Sequence, residues 1–347
     1  MAHVILITLV VGFPVVAVWV FRKIWTGTGR CRGLAVRATL FAGTCLLIFG
    51  GLEYVFVNHV AISDGFGFTL SAGNWRRRYG SVPHNQWGWR DQDHTVATLR
   101  NKSKLMVVGD SFTAGHGIND YRDRYANRLA DKLGDQWKMI LIAKGGWDTE
   151  KQIEEFTRIH ALIDSPATEE IVIWQYYIND IEQAGATAGL QRPTIHLTAP
   201  RGLRPLVDNF HVANFAYWSV FRRFSTRQLA GRYLAYLEEC YTDAMCWSLH
   251  QRQLQKIVGF SQRSDKSDRR MVVIVYPNLM DISATRKMSD RVVEYFQGHE
   301  LPVINMADLL QDQPVEDITV NAFDGHANEK VNQLLADELY RQLQGAP

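Results

Sequence analysis

Four cysteines in 347 residues, none in a C-x-x-C pair, exclude a disulfide-built scaffold and a cysteine-held zinc site. Neither sign of charge is in excess. The 38 basic residues stand against 36 acidic ones, a net of +2, so the chain lacks the basic footprint of a nucleic-acid binder. It has no G-x-x-x-x-G-K-[ST] loop to cradle nucleotide phosphates, and no G-x-G-x-x-G follows an apolar run, so no nucleotide cofactor is implied. Histidines such as His196 and His211 show no H-E-x-x-H spacing, and no metal is implied either. Internal repeats and low-complexity runs are missing as well. What the chain has in quantity is apolar side chains, 46% of the total, enough for a sizeable core. They are concentrated at the N-terminus.

Val4 to Phe21 carries no charge and a single proline, Pro14; Ala38 to Val57 has the same apolar character with one acid, Glu53. At 1.5 Å per residue each nearly matches a hydrocarbon core of about 30 Å. The loop between them holds Arg22, Lys23, Arg30, Arg32 and Arg37, whereas Arg76, Arg77 and Arg78 lie well beyond the second. The positive-inside rule therefore puts the loop in the cytoplasm and both chain ends outside, which predicts a transmembrane hairpin over residues 1–60. A cleaved signal peptide would need a basic start and an A-x-A-like site, and the first segment has neither. Glu53, near the outer end of its span, is expected to snorkel or to pair with the other helix, a functional membrane acid being the alternative. Cys31 and Cys45 fall where oxidation is not expected. Cys240 and Cys246 are close enough in sequence to bridge, and a disulfide or two free buried thiols both fit.

After a connector over residues 61–103, residues 104–347 read as one alternating α/β domain. Lys104–Asp110, Lys138–Ala143, Glu170–Tyr177, Met271–Pro277 and Leu301–Met306 are short apolar runs of strand type. Helical stretches lie at about Arg122–Leu133, Thr149–Leu162 and Ala327–Leu343, with a mostly helical insertion at about 183–262. Strands alternating with helices imply a parallel sheet covered on both faces, with the ligand site at the carboxyl ends of the strands.

The chemistry-bearing residues fall at those ends. Gly109-Asp110-Ser111 closes the first strand, where a serine on a strand-to-helix turn presents its hydroxyl and its own N–H outward. The second strand ends in Ala143-Lys144-Gly145-Gly146, whose glycines leave a backbone N–H accessible, and the third ends in Ile178-Asn179-Asp180. Asp324-Gly325-His326 precedes the last helix; a histidine beside a carboxylate serves as an oriented general base. Each of these alone is an ordinary turn or helix cap. Together, in this order and at these strand ends, they are a constellation.

In that order the chain resembles the SGNH, or GDSL-type, hydrolases over roughly residues 100–345. Asn85-Gln86-Trp87-Gly88-Trp89-Arg90-Asp91 is also similar to the lead-in of membrane-anchored bacterial members. The resemblance implies a flavodoxin-like three-layer fold with a parallel sheet. It implies Ser111 as nucleophile, His326 as base and Asp324 as acid, with an oxyanion hole of the Ser111 N–H, Gly146 (Gly145 as alternate) and Asn179. Two departures stand out. The acid precedes the histidine by two residues instead of three, with Phe323 at the usual acid position, and the second block opens with Ala143-Lys144 where Asn is usual. The function implied is a membrane-tethered serine esterase acting on acyl, above all O-acetyl, esters of a cell-envelope glycan or lipid, without a cofactor. Its place is the bacterial inner membrane with the catalytic domain on the periplasmic side. The alternatives are an O-acyltransferase of an extracytoplasmic polysaccharide, fed by a membrane acyl-carrier partner, and a non-catalytic subunit that keeps the fold. The aromatic and basic stretch Trp218, Phe221, Arg222, Arg223 and Phe224 reads as a glycan or acyl groove, a partner surface, or a helix packed on its own domain.

Overall fold

A computed structural model describes residues 30–81, 83–163, 169–194, 198–262 and 269–345. The chain divides into two compact units, one of Met1–Ile62, Gly67–Trp75 and His196–Ser225, the other of Ser63–Phe66, Arg76–Ile195 and Thr226–Pro347.

In the first unit the main element is the helix Arg30–Asn58, of which Val36–Asn58 is long and apolar enough to cross a membrane. Leu40, Phe41, Leu47 and Ile48 are exposed along it. The other expected span, Val4–Phe21, lies outside the described residues. The expected pairing of Glu53 with that first span falls on residues outside those described, and Glu53 does not snorkel. It is buried and accepts the backbone N–H groups of His211 (2.7 Å) and Val212 (2.9 Å), with His211 Nδ1 at 3.2 Å. Those N–H groups open the helix His211–Thr242, where the first turn has no intrahelical acceptors and a positive dipole end, so a carboxylate is the natural cap. Asn74 adds hydrogen bonds from Nδ2 to the carbonyls of Phe56, Val57 and Val60. Trp218 is buried with Ala199 and Val207, and Phe68 and Phe221 pack against this cluster. For Trp218 and Phe221 the packing alternative is therefore the one observed.

The second unit is built on a five-stranded, wholly parallel sheet: β1 (Ser103–Gly109), β2 (Trp137–Ala143), β3 (Glu170–Tyr177), β4 (Arg269–Tyr276) and β5 (Val303–Asn305), in the order β2-β1-β3-β4-β5. Alternate residues face opposite layers. Leu105, Val107, Ile171, Ile173, Val272 and Ile274 pack against the helices Tyr125–Leu133 and Glu329–Gly345. Met106, Val108, Val172, Trp174, Val273 and Val275 pack against Thr149–Leu162, Ala244–Gln262 and Ile282–Gln297. This is the expected three-layer flavodoxin-like arrangement, and the strand order reverses between β1 and β3, where such sheets bind ligands.

The structure differs from the sequence reading in three places. The expected helix Arg122–Leu133 breaks at Arg124, whose backbone is extended because its guanidinium turns into the core. The last helix begins at Glu329, not Ala327, with Asn328 Oδ1 accepting the N–H of Val331. Before it lies an antiparallel pair that the sequence reading treated as a turn, β6 (Thr319–Asn321) and β7 (Asp324–Ala327).

Candidate active site

Gly109 is the last residue of β1. A side chain there would run into Thr113 Oγ1 and Gln175 Oε1, which bond each other at 2.9 Å directly behind the turn. Asp110 follows as N-cap and accepts the N–H of Phe112 at 2.9 Å. Burial raises the pKa of its carboxyl to about 6. Ser111 is thereby the first residue of a helical turn, Ser111–Ala114, and as such its N–H has no intrahelical acceptor.

The closing block comes from β7. Asp324 and His326 are two apart on a strand, so their side chains lie on the same face. The shortened spacing of acid and base is therefore met by strand geometry. His326 Nδ1 stands 2.5 Å from Asp324 Oδ1, which also accepts the His326 backbone N–H at 3.2 Å, and His326 Nε2 stands 2.8 Å from Ser111 Oγ. The imidazole lies between Phe112, with ring centroids 4.8 Å apart, and His116, at 4.6 Å. Burial works against charge on both partners. It is outweighed by their mutual attraction, which holds Asp324 well below the usual carboxylate range and raises His326 above the usual histidine value.

The sheet register places the second block. Gly109 pairs with Ala143, so Ser111 and Gly145 each stand two residues beyond a paired position. A Cβ built on Gly145 would lie 3.6 Å from that of Ser111. Gly145, the alternate in the sequence reading, thus lies against the serine, and Gly146 follows with a φ of +82°, which glycine adopts without strain. Asn179 sits, half-buried, in the 3-10 turn Ile178–Ile181 just past β3, and Tyr177 at that strand end packs its ring 4.8 Å from Phe112.

A buried chain of hydrogen bonds fixes that turn. Tyr241 donates to the carbonyl of Ile178 (3.0 Å), Tyr176 meets the Tyr241 hydroxyl at 2.5 Å, and His250 Nε2 lies 2.9 Å from Tyr176. A carbonyl only accepts, so the single proton of Tyr241 goes to Ile178. Burial lowers the pKa of His250 to about 4, so it is neutral, and its Nδ1 lies 2.9 Å from Gln253 Oε1.

The lead-in segment is the other support. Asn85 Oδ1 accepts the N–H groups of Trp87 (3.1 Å) and Trp89 (3.0 Å), which folds the segment into a turn. Arg90 then donates to the carbonyls of Gly115, Ile118 and Asn119, pinning the loop behind Ser111, and Asp91 accepts the N–H of Leu141 on β2 at 3.1 Å. Arg124, fully buried, bonds the carbonyls of Tyr121 and Arg90.

Sequence reasoning passed over His116. Its Nε2 lies 3.5 Å from Asp324 Oδ2, and burial lowers its pKa to about 4. The signal was the histidine directly after the G-D-S-x-x-x-G block. His116, Asp324 and His326 hold ligand-type atoms within 4.8 Å of one another, but His326 and Asp324 are already joined in the relay to Ser111.

No family model matches the sequence, and no curated protein does. Among solved structures it is similar to a member of the lipolytic protein G-D-S-L family from Veillonella parvula (13% identity, TM-score 0.41, covering 70% of this chain and 100% of that one). It is also similar to a carbohydrate acetylesterase family member from Sinorhizobium meliloti (12%, 0.38, 70% and 97%). A third similar structure is the native aryl esterase of M. smegmatis (13%, 0.36, 70% and 98%).

Proposed function

We propose that this chain is a membrane-tethered serine ester hydrolase of the SGNH type, removing acyl groups, above all O-acetyl groups, from a cell-envelope glycan or lipid. The observation that carries the reading is the relay Asp324–His326–Ser111, closed at 2.5 Å and 2.8 Å. His326 Nε2 takes the proton of Ser111 Oγ as that oxygen attacks the ester carbonyl. Asp324 holds the imidazole and stabilises the imidazolium. The oxyanion is met by the Ser111 N–H, by a backbone N–H of the Gly145-Gly146 turn and by the Asn179 amide, each such donor contributing about 3 kcal/mol to lowering the barrier. His326 returns the proton to the leaving alcohol, and water resolves the acyl-enzyme by the same route in reverse. The tether is supported by the apolar helix Val36–Asn58, and the charge pattern around it favours the periplasmic side.

The test is labelling of the detergent-solubilised full chain with a fluorophosphonate probe. Wild type should label and Ser111→Ala should not. A well-folded wild type that stays unlabelled overturns the reading in favour of a non-catalytic subunit. With label established, released acetate signifies hydrolysis, and an acylated glycan acceptor signifies transfer with a membrane acyl-carrier partner.

A further inference from the structure

The acid of the relay is held by more than its own strand. Asp324 Oδ1 is engaged by the imidazole and backbone of His326, yet the whole carboxylate is sealed from solvent. A carboxylate fixed through one oxygen to a near neighbour in sequence is free to swing about its terminal torsion, and the imidazole plane swings with it. Something must fix the second oxygen.

Four residues from far away in the chain pack beside Asp324. The strap Ser63–Phe66 lies against the turn between β6 and β7: Gly65 N–H donates to the carbonyl of Phe323 at 3.0 Å, and Asn321 Nδ2 donates to that of Ser63 at 3.2 Å. A Cβ built on Gly65 would lie 3.5 Å from Asp324 Oδ1. Asp64 Oδ1 takes the N–H of Phe66 at 2.9 Å, which shapes the strap as a tight turn. The Ser63 hydroxyl is buried and helps to hold the negative charge of Asp324; among the described residues neither Ser63 Oγ nor Asp324 Oδ2 makes a hydrogen bond of ordinary geometry. Leaving both buried atoms without a bond is costly, which favours their pairing with each other. His116 Nε2, 3.5 Å from Oδ2, flanks the pair, and the Asp64 backbone in turn holds His116.

We infer that the strap Ser63–Phe66 is a working part of the active site, in which Ser63 is a positioning residue that hydrogen-bonds Asp324 Oδ2 and thereby fixes the imidazole of His326. This rests on the hydrolase reading above. It turns part of an expected connector into machinery: removal of the chain up to Phe66 takes away a support of the catalytic acid as well as a tether.

The experiment is a double-mutant cycle on the full-length, detergent-solubilised protein with p-nitrophenyl acetate as probe. Ser63→Ala should lower kcat about tenfold with KM unchanged, the low end for a hydrogen bond to a charged group. In an Asp324→Asn background it should change kcat less than about twofold, because the group it positions is gone. An unchanged kcat in the wild-type background, or an equal loss in both backgrounds, overturns the inference. If Ser63→Ala does not fold, Asn321→Ala, which unties the strap at the Ser63 carbonyl, is read in the same cycle with the same two outcomes. Failure of this cycle in a protein that labels with fluorophosphonate removes the strap alone; failure to label removes the hydrolase reading.

Discussion

His326 Nε2 meets Ser111 Oγ at 2.8 Å across 215 residues of chain. One end of this contact is set by the turn after β1 and the other by a short strand that, among the described residues, pairs only with β6, so the relay depends on how those two pieces are held.

The pH dependence follows from the His326–Asp324 pair. His326 takes a proton only when neutral, and Asp324 raises its pKa against the opposing effect of burial. The kcat/KM profile should therefore rise with pH through a midpoint above the ordinary histidine value of about 6.5. Asp324→Asn removes the raising charge, so the midpoint should move down and kcat should fall by up to about 10⁴-fold. A profile flat from about pH 5 to about 9 would remove His326 as the base.

Arg90 is a stability residue with a functional address. Arg90→Ala strips a buried donor set from three carbonyls of the loop that carries His116. Unsatisfied buried carbonyls cost about 1–3 kcal/mol each before relaxation, so a loss of roughly 3 kcal/mol in urea unfolding is expected. Arg90→Lys should recover only part of it, since an ammonium lacks the planar fork.

The hydroxyl of Tyr241 holds the turn that displays Asn179. Tyr241→Phe should lower kcat several-fold, within the roughly tenfold per 1.4 kcal/mol that a mis-set donor implies, and should have little further effect once Asn179 is replaced by Ala. Equal effects in both backgrounds would assign Tyr241 to general stability instead.

Gly109→Ala places a methyl against Thr113 Oγ1 and Gln175 Oε1. Overpacking of this kind costs about 1–3 kcal/mol, and here it also shifts the turn bearing Ser111. Both thermal stability and the fluorophosphonate labelling rate should fall together.

Cys240 and Cys246 are free and buried in the structure, which favours the thiol alternative. Neither should react with a thiol reagent such as DTNB in the native protein, and both should react after unfolding without prior reduction. Reaction only after a reductant is added would establish a disulfide instead.

The sequence by itself determined the layered fold, because apolar runs of strand length alternating with amphipathic stretches have one stable solution, a parallel sheet buried on both faces. It also singled out Ser111, Asp324 and His326 as an ordered pattern along the chain, and these three stand within hydrogen-bond reach of one another in the fold. What only the tertiary structure decided was who stands beside them. Gly145 came against Ser111 through the pairing of Gly109 with Ala143, a register between strands that no local pattern encodes. Glu53, expected to snorkel or to pair with the other apolar span, is instead the cap of a helix more than a hundred residues away. Ser63, Arg90 and Tyr241 read as loop, lead-in and insertion. Arg90 and Tyr241 hydrogen-bond carbonyls distant in sequence, and Ser63 lies in the strap packed beside Asp324, neighbours that only the folded chain supplies.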